Sequence, residues 1–165
     1  MTIQVETTRF GIIEVEEEHL VHLPSGLIGI PDQRWVLITR EPASPFLWMQ
    51  SLDNGELALP VAQPEVFFPS YGLQLAEEQL TEIGLQDGHE VEVLCIVKAC
   101  DEVARFTMNL RGPLIFDSGT RQGAQVVNMV EYPVNANLWE ETSMEKIEFS
   151  HPELPILQQI ILGEE

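Results

Sequence analysis

Short runs of period-two alternation recur along this chain, and they restrict it to folds built from β-strands. Glu90-Val91-Glu92-Val93 alternates carboxylate with valine, then passes into Leu94-Cys95-Ile96-Val97, apolar on both faces. Successive strand side chains point to opposite faces, so this segment reads as a strand entering a core, with Val91, Val93, Cys95 and Val97 on one face. Ile3 to Glu6 and Gly11 to Val15 read as a hairpin around Thr7 to Phe10. Trp35 to Thr39 is aromatic and β-branched, as strands prefer. Phe46 to Leu52 and Leu57 to Val61 flank Asp53-Asn54-Gly55. Asn-Gly between apolar runs predicts a type I′ hairpin turn, which needs positive φ at both central residues. Arg105 to Leu110, Pro113 to Phe116 and Ala124 to Val130 complete the set, with a turn at Asp117-Ser118-Gly119. Eleven prolines among so many short strands predict an all-β domain, barrel-like or a sandwich, with one or two short helices.

Helical spacing is scarce. Ala76, Leu80 and Ile83 fall at i, i+4 and i+7, with Gly84 placed to cap the C-terminal end and Glu77, Glu78 and Glu82 facing water. Leu154, Leu157 and Ile161 allow a second, amphipathic helix after His151-Pro152. The composition turns polar after Trp139. The expected division is a β-barrel domain over residues 1–139 and a tail over 140–165.

Charge bounds the partners. The chain carries 27 acidic and 8 basic side chains, a net charge of −19. A charge of that size repels nucleic acid and anionic membrane and speeds encounter with basic proteins. It also opposes compaction, so the fold should gain from salt. No apolar run approaches the ~20 residues that span a bilayer, and the first residues lack a signal-peptide pattern, so a cytoplasmic setting is expected. Cys95 and Cys100 lie too far apart on a strand to be bridged and read as free thiols, Cys95 packed as a small hydrophobe.

No residue constellation for catalysis emerges. His19 and His22 would point to opposite faces of an extended segment, with no further ligand at metal-binding spacing. No serine sits in a nucleophile elbow, and Gly26-Leu27-Ile28-Gly29 precedes no helix that could hold a phosphate. No cofactor is expected. Glu14, Glu16, Glu17 and Glu18 form an acidic cluster, read first as a solvated face and next as a surface for a basic partner. Val66-Phe67-Phe68-Pro69-Ser70-Tyr71 concentrates aromatics beside Glu65. Such a run reads first as core; Phe67 and Phe68 cannot both face inward on one strand, and if one is exposed it joins Tyr71 as a candidate contact anchor.

Five motifs, in order, resemble the FliW family. His22-Leu23-Pro24-Ser25-Gly26-Leu27-Ile28-Gly29-Ile30 is similar to its F-P-x-G-x-x-G-F signature. Pro45 to Ser51 resembles its apolar strand ending in L-Q-S, and Leu59 to Tyr71 its F-x-V-x-x-P…F-x-x-Y stretch. Asn109 to Ile115 resembles N-L-x-A-P-I-x-I, and Gly123 to Val127 the following x-Q-V segment. The chain departs at Ile30, Met49, Pro60 and Gly112. The resemblance covers residues 2 to about 139.

That resemblance implies a non-enzymatic, β-barrel-like regulator of flagellum biogenesis, a monomer when free, with two alternative partners. One is flagellin, the filament subunit. The other is CsrA, an RNA-binding translational repressor. Flagellin would occupy the protein until exported; the freed protein would then bind CsrA and relieve repression of flagellin translation. A basic repressor complements a chain of charge −19. The candidate partner-binding residues are Glu65, Phe67, Phe68, Tyr71, the Glu14 to Glu18 cluster and Asn109, which matches the family motif. Two other readings compete: an acidic export chaperone without a translational role, and a small-ligand barrel or enzyme.

Overall fold

Val5, Ile13 and Val15 lie on one face of the first hairpin and are buried. Strand β1 (Thr2–Thr7) pairs antiparallel with β2 (Gly11–Glu16), Thr2 opposite Glu16 and Thr7 opposite Gly11. The Thr7 hydroxyl donates to the Gly11 carbonyl at 2.7 Å and accepts from the Phe10 N–H at 2.9 Å, closing the expected turn. The computed structural model describes residues 2–39, 44–84 and 90–142. The helix expected over Leu154 to Ile161 lies outside them.

The main sheet contains β3 (Val21–His22), β4 (Arg34–Ile38), β5 (Leu47–Ser51), β6 (Ala58–Ala62), β7 (Val91–Lys98), β9 (Leu114–Asp117) and β10 (Gly123–Gln125), in the order β10-β9-β7-β6-β5-β4-β3. All these pairs are antiparallel. Two-residue strands β8 (Thr107–Met108) and β11 (Ala136–Asn137) pair with each other, and β8 pairs with the end of β7. Single-turn α1 (Pro64–Phe67) follows β6, and α2 (Glu77–Ile83) precedes β7. The fold is mainly β with short helices, as expected.

The sheet does not close into a barrel. Its edges, β3 and β10, meet through one parallel bridge between His22 and Gln122, with the His22 N–H donating to the Arg121 carbonyl at 2.9 Å. Pro24 offers no N–H to extend β3, and Gly26 turns the chain at φ 67. The edges are too short for a ladder, so the architecture is an open sheet whose ends touch.

Strand β4 is buried on both faces, which explains its unbroken apolar run. Trp35 and Leu37 join Leu47, Met49, Leu94 and Phe116 in the central core. Val36 and Ile38 face the other way, onto Val5, Ile13 and Val15 of the hairpin. Strand β7 enters the core as expected through Leu94, Cys95 and Val97, but Val91 at its start is 42% exposed. Helix α2 forms where the 76–83 spacing predicts, and Ile83 packs on Ile115, Ala124 and Val126 with Gly84 capping the end at φ 72. Ala76, however, is the N-cap, and Leu80, expected on the buried face, is 42% exposed.

The β5–β6 hairpin forms with Met49 opposite Leu59, but not through a type I′ turn. Neither Asn54 nor Gly55 has positive φ. Gly55 is required for a different reason. A Cβ there would run into the Glu6 carbonyl oxygen, because this loop rests on the first hairpin, where the Thr8 N–H donates to the Gly55 carbonyl at 3.0 Å. The Asp117 turn forms as expected, its Oδ1 accepting from the N–H groups of Gly119 and Thr120 at 2.8 and 2.9 Å.

Candidate functional site

Proline at the first helical position turns Gln63 to Phe68 into a helical turn where a strand was expected. The opposite-faces rule for a strand therefore does not apply to Phe67 and Phe68. Both are buried, 0% and 2% exposed, and neither is a surface anchor as the structure stands. Phe67 stacks on Phe46, centroids 5.5 Å apart, and meets Trp139 edge-on at 5.6 Å. These contacts place the two phenylalanines in the core.

Tyr71 is half-buried and held by polar contacts. Its hydroxyl donates to the Leu110 carbonyl at 2.8 Å, accepts from the Asn128 amide at 3.2 Å, and its ring lies 4.9 Å from that of Tyr132. Burial first, then the neighbouring Cys95, pushes its ionisation above the usual phenol range. Burial likewise pushes the Cys95 thiol up to about 12. Both stay protonated and act as neutral packing groups. Asn128, which the sequence reading passed over, is buried and fully satisfied. Its Oδ1 accepts from Gln74 and Val130 N–H at 3.1 and 3.0 Å, and its amide also donates to the Gly72 carbonyl at 2.8 Å.

The carboxylates remain at the surface, in two groups. Glu65 is exposed and close enough to Glu92 and Cys95 to raise the ionisation of each. For Glu92 burial is the larger cause, followed by Glu90 and then Glu65. The second group is the expected cluster. Glu14 and Glu16 end β2, and Glu17 and Glu18 occupy the 3-10 turn Glu17–His19. Glu16, Glu17, Glu18 and Arg121 line a cleft of about 320 Å³. Arg121 holds an uncommon φ of 63 and is the one cation of that cleft.

Asn109 shapes a turn. Its Oδ1 accepts from the N–H groups of Arg111 and Gly112 at 3.2 and 2.9 Å. The Gln125 amide donates to the Gly112 carbonyl at 2.9 Å, and its Oε1 accepts from the Ile28 N–H at 2.8 Å. Asn109 and Gln125 thus tie together two segments that carry separate sequence motifs. Asn109 also lines an open, largely apolar cavity of about 360 Å³ with Leu27, Ile28, Ile96 and Val134. The sequence reading did not find this cavity; exposed Ile28 and Val134, far apart in the chain, gave no local signal.

Among the described residues no three or more His, Cys, Asp or Glu side chains are placed to hold a metal ion together, and no helix is long and apolar enough to cross a membrane.

The comparison with known proteins is consistent across sequence and fold. The FliW protein family model matches residues 4–138. The flagellar assembly factor FliW of Geotalea uraniireducens is 33% identical over 144 residues, 87% of this chain and 88% of that protein. The flagellar assembly factor FliW of Geobacter sulfurreducens is 35% identical over 125 residues, 76% of this chain and 79% of that protein. A crystal structure of the flagellar assembly factor FliW shares the fold at a TM-score of 0.77 and 24% identity, covering 86% of this chain and all of that one. The chain belongs to the FliW family.

Proposed function

We propose that this protein serves flagellar assembly as a non-enzymatic regulator in the cytoplasm, binding flagellin and, alternatively, a CsrA-type translational repressor. The family match over residues 4–138 carries this reading. The charge of −19 supports the repressor arm, because a protein that grips RNA phosphates must be basic. The contact surfaces proposed are carboxylates: Glu65, and Glu14, Glu16, Glu17 and Glu18. Phe67 anchors the helical turn that carries Glu65, and Tyr71 ties the loop after that turn to Leu110. Asn109 enters through its match to the family motif. Binding of either partner shifts the free pool available to the other by mass action.

Calorimetric titration against purified CsrA and flagellin of the same organism, at low and physiological salt, tests the proposal. Expected are submicromolar affinity for CsrA that weakens with salt, and its loss when flagellin is added first. Binding to flagellin alone would leave an export chaperone. Binding to neither would refute the reading.

A further inference from the structure

The basic side chains of this acidic chain are unevenly spread. Of its eight Lys and Arg residues, Arg40 and Lys146 lie outside the described residues. Arg9 lies over the Trp48 ring at 4.0 Å, Arg34 pairs with Asp53 at 2.9 Å, and Arg121 shares a cleft with Glu16, Glu17 and Glu18 without an ion pair inside 4.0 Å among the described residues. The other three, Lys98, Arg105 and Arg111, make no ion pair within 4.0 Å among the described residues.

All three line one continuous groove. The cavity beside Asn109 also holds Arg111, and through Ile96, Asn109 and Val134 it shares a wall with a second cavity of about 360 Å³. The second shares Lys98, Thr107 and Asn135 with a third of about 230 Å³ that holds Arg105 and Cys100. Ile28, Val127 and Val134 leave 69%, 44% and 60% of their surface exposed along it. An apolar trough with three unpaired cations fits an apolar segment that carries carboxylates.

This chain contains such a segment. Residues 143–165 carry five glutamates against one lysine, with Leu154, Leu157, Ile160 and Ile161 at helical spacing. They lie beyond the stretch matched by the family model, residues 4–138. The chain passes one end of the groove just before it leaves the described region beside Ser70, whose hydroxyl donates to the Glu141 carboxylate at 2.7 Å. Asn137 donates to the Ala104 carbonyl at 3.2 Å and Trp139 to the Val103 carbonyl at 2.8 Å, beside Arg105. Twenty-three residues reach about 75 Å when extended, ample to follow the groove.

We propose that residues 143–165 dock intramolecularly in the groove lined by Lys98, Arg105, Arg111 and the exposed Ile28 and Val134. The tether gives the segment an effective concentration in the millimolar range, so a modest intrinsic affinity keeps it seated. The inference does not depend on the partners proposed above. A partner using this groove would first have to displace the segment.

Cys100 is exposed at the groove wall and supplies the test, while buried Cys95 stays inert. The full chain is labelled with uncharged N-ethylmaleimide and the Cys100 rate compared with that of full-length Leu157→Asp/Ile161→Asp. A segment seated nine-tenths of the time shields the thiol about tenfold, so the double variant should label about tenfold faster. Adding a free peptide of residues 143–165 should return the variant to the slow rate. Val134→Asp, which puts a carboxylate in the trough, should also speed labelling with the segment unchanged. Equal rates for all chains would overturn the proposal. A rate that rises on dilution would also overturn it, because the segment would then come from a second copy.

Discussion

The Tyr71 hydroxyl donates to the Leu110 carbonyl at 2.8 Å, tying the loop after α1 to the chain leaving β8. Asn128 completes that junction from the other side with its amide 3.2 Å from the same hydroxyl. Tyr71→Phe removes both hydrogen bonds of that hydroxyl and should cost about 2 kcal/mol. Asn128→Ala strands several buried groups at once and should cost about 3 kcal/mol or more, since each orphaned group costs about 1–3. Urea unfolding of both variants checks the order; equal losses would show that the junction does not act as a unit.

Phe67 and Glu65, two positions apart, should behave as opposites. Phe67→Ala empties a site ringed by Phe46 and Trp139 and should cost about 3–5 kcal/mol. Glu65→Lys lies at the surface and should change stability by less than about 0.5 kcal/mol. If Glu65 belongs to the surface for a basic partner, its reversal should weaken CsrA binding with the unfolding midpoint unmoved. A Phe67→Ala chain as stable as the parent would contradict the placement of that ring.

Gly55→Ala should destabilise although the backbone there is ordinary. The added methyl meets the Glu6 carbonyl, and lifting the loop would strain the Thr8 contact. Overpacking of this kind costs about 1–3 kcal/mol, readable as a lowered Tm. Gly29→Ala makes a useful comparison, because open space surrounds its Cβ position and only its φ of 84 resists the change.

Two carboxylates should shift stability with pH in opposite directions. Burial, then Glu90 and Glu65, raises the Glu92 ionisation, so the folded state holds that proton more tightly than the unfolded chain. Its contribution is present below the ordinary carboxylate value and lost as pH rises through the raised one. Glu92→Gln should therefore raise the urea midpoint at pH 7. For Asp53, burial pushes upward but is outweighed by the Arg34 and Gln33 N–H groups and the Arg34 guanidinium, which hold it below the usual range. Its contribution is present above the ordinary value and lost as pH falls through the lowered one, so Asp53→Asn should lower the midpoint at pH 7. Midpoints measured from pH 3 to 8 separate the two.

Local pattern made much of the fold legible. Alternation located β1, β2 and β7, and the spacing of Ala76, Leu80 and Ile83 with Gly84 located α2. Its failures share a cause. Phe67 and Phe68 were read with strand geometry, and Pro64 imposed a helical turn. Asn54-Gly55 was read as a tight turn, while the loop's conformation answers to a hairpin nearly fifty residues earlier in the chain. Barrel closure was inferred from many short strands, but it depends on how two particular edges meet. The candidate site divides the same way: exposed carboxylates can be recognised by composition, whereas a groove assembled from Ile28, Lys98, Arg111 and Val134 has no signature in any one stretch.

The bridge between His22 and Gln122 joins positions a hundred residues apart with a single backbone contact. Contacts of such long sequence separation form only after the intervening strands are in register, and across this seam the closure entropy is repaid by one backbone hydrogen bond and the nearby Ile28–Gln125 contact. The seam should therefore be the last part of the sheet to assemble and the first to part. Parting it would bare the edges of β3 and β10 while the central strands stay paired. In hydrogen exchange, the His22 amide should lose its protection well before those of β4 and β5, placing the fold's weak line where its two ends meet.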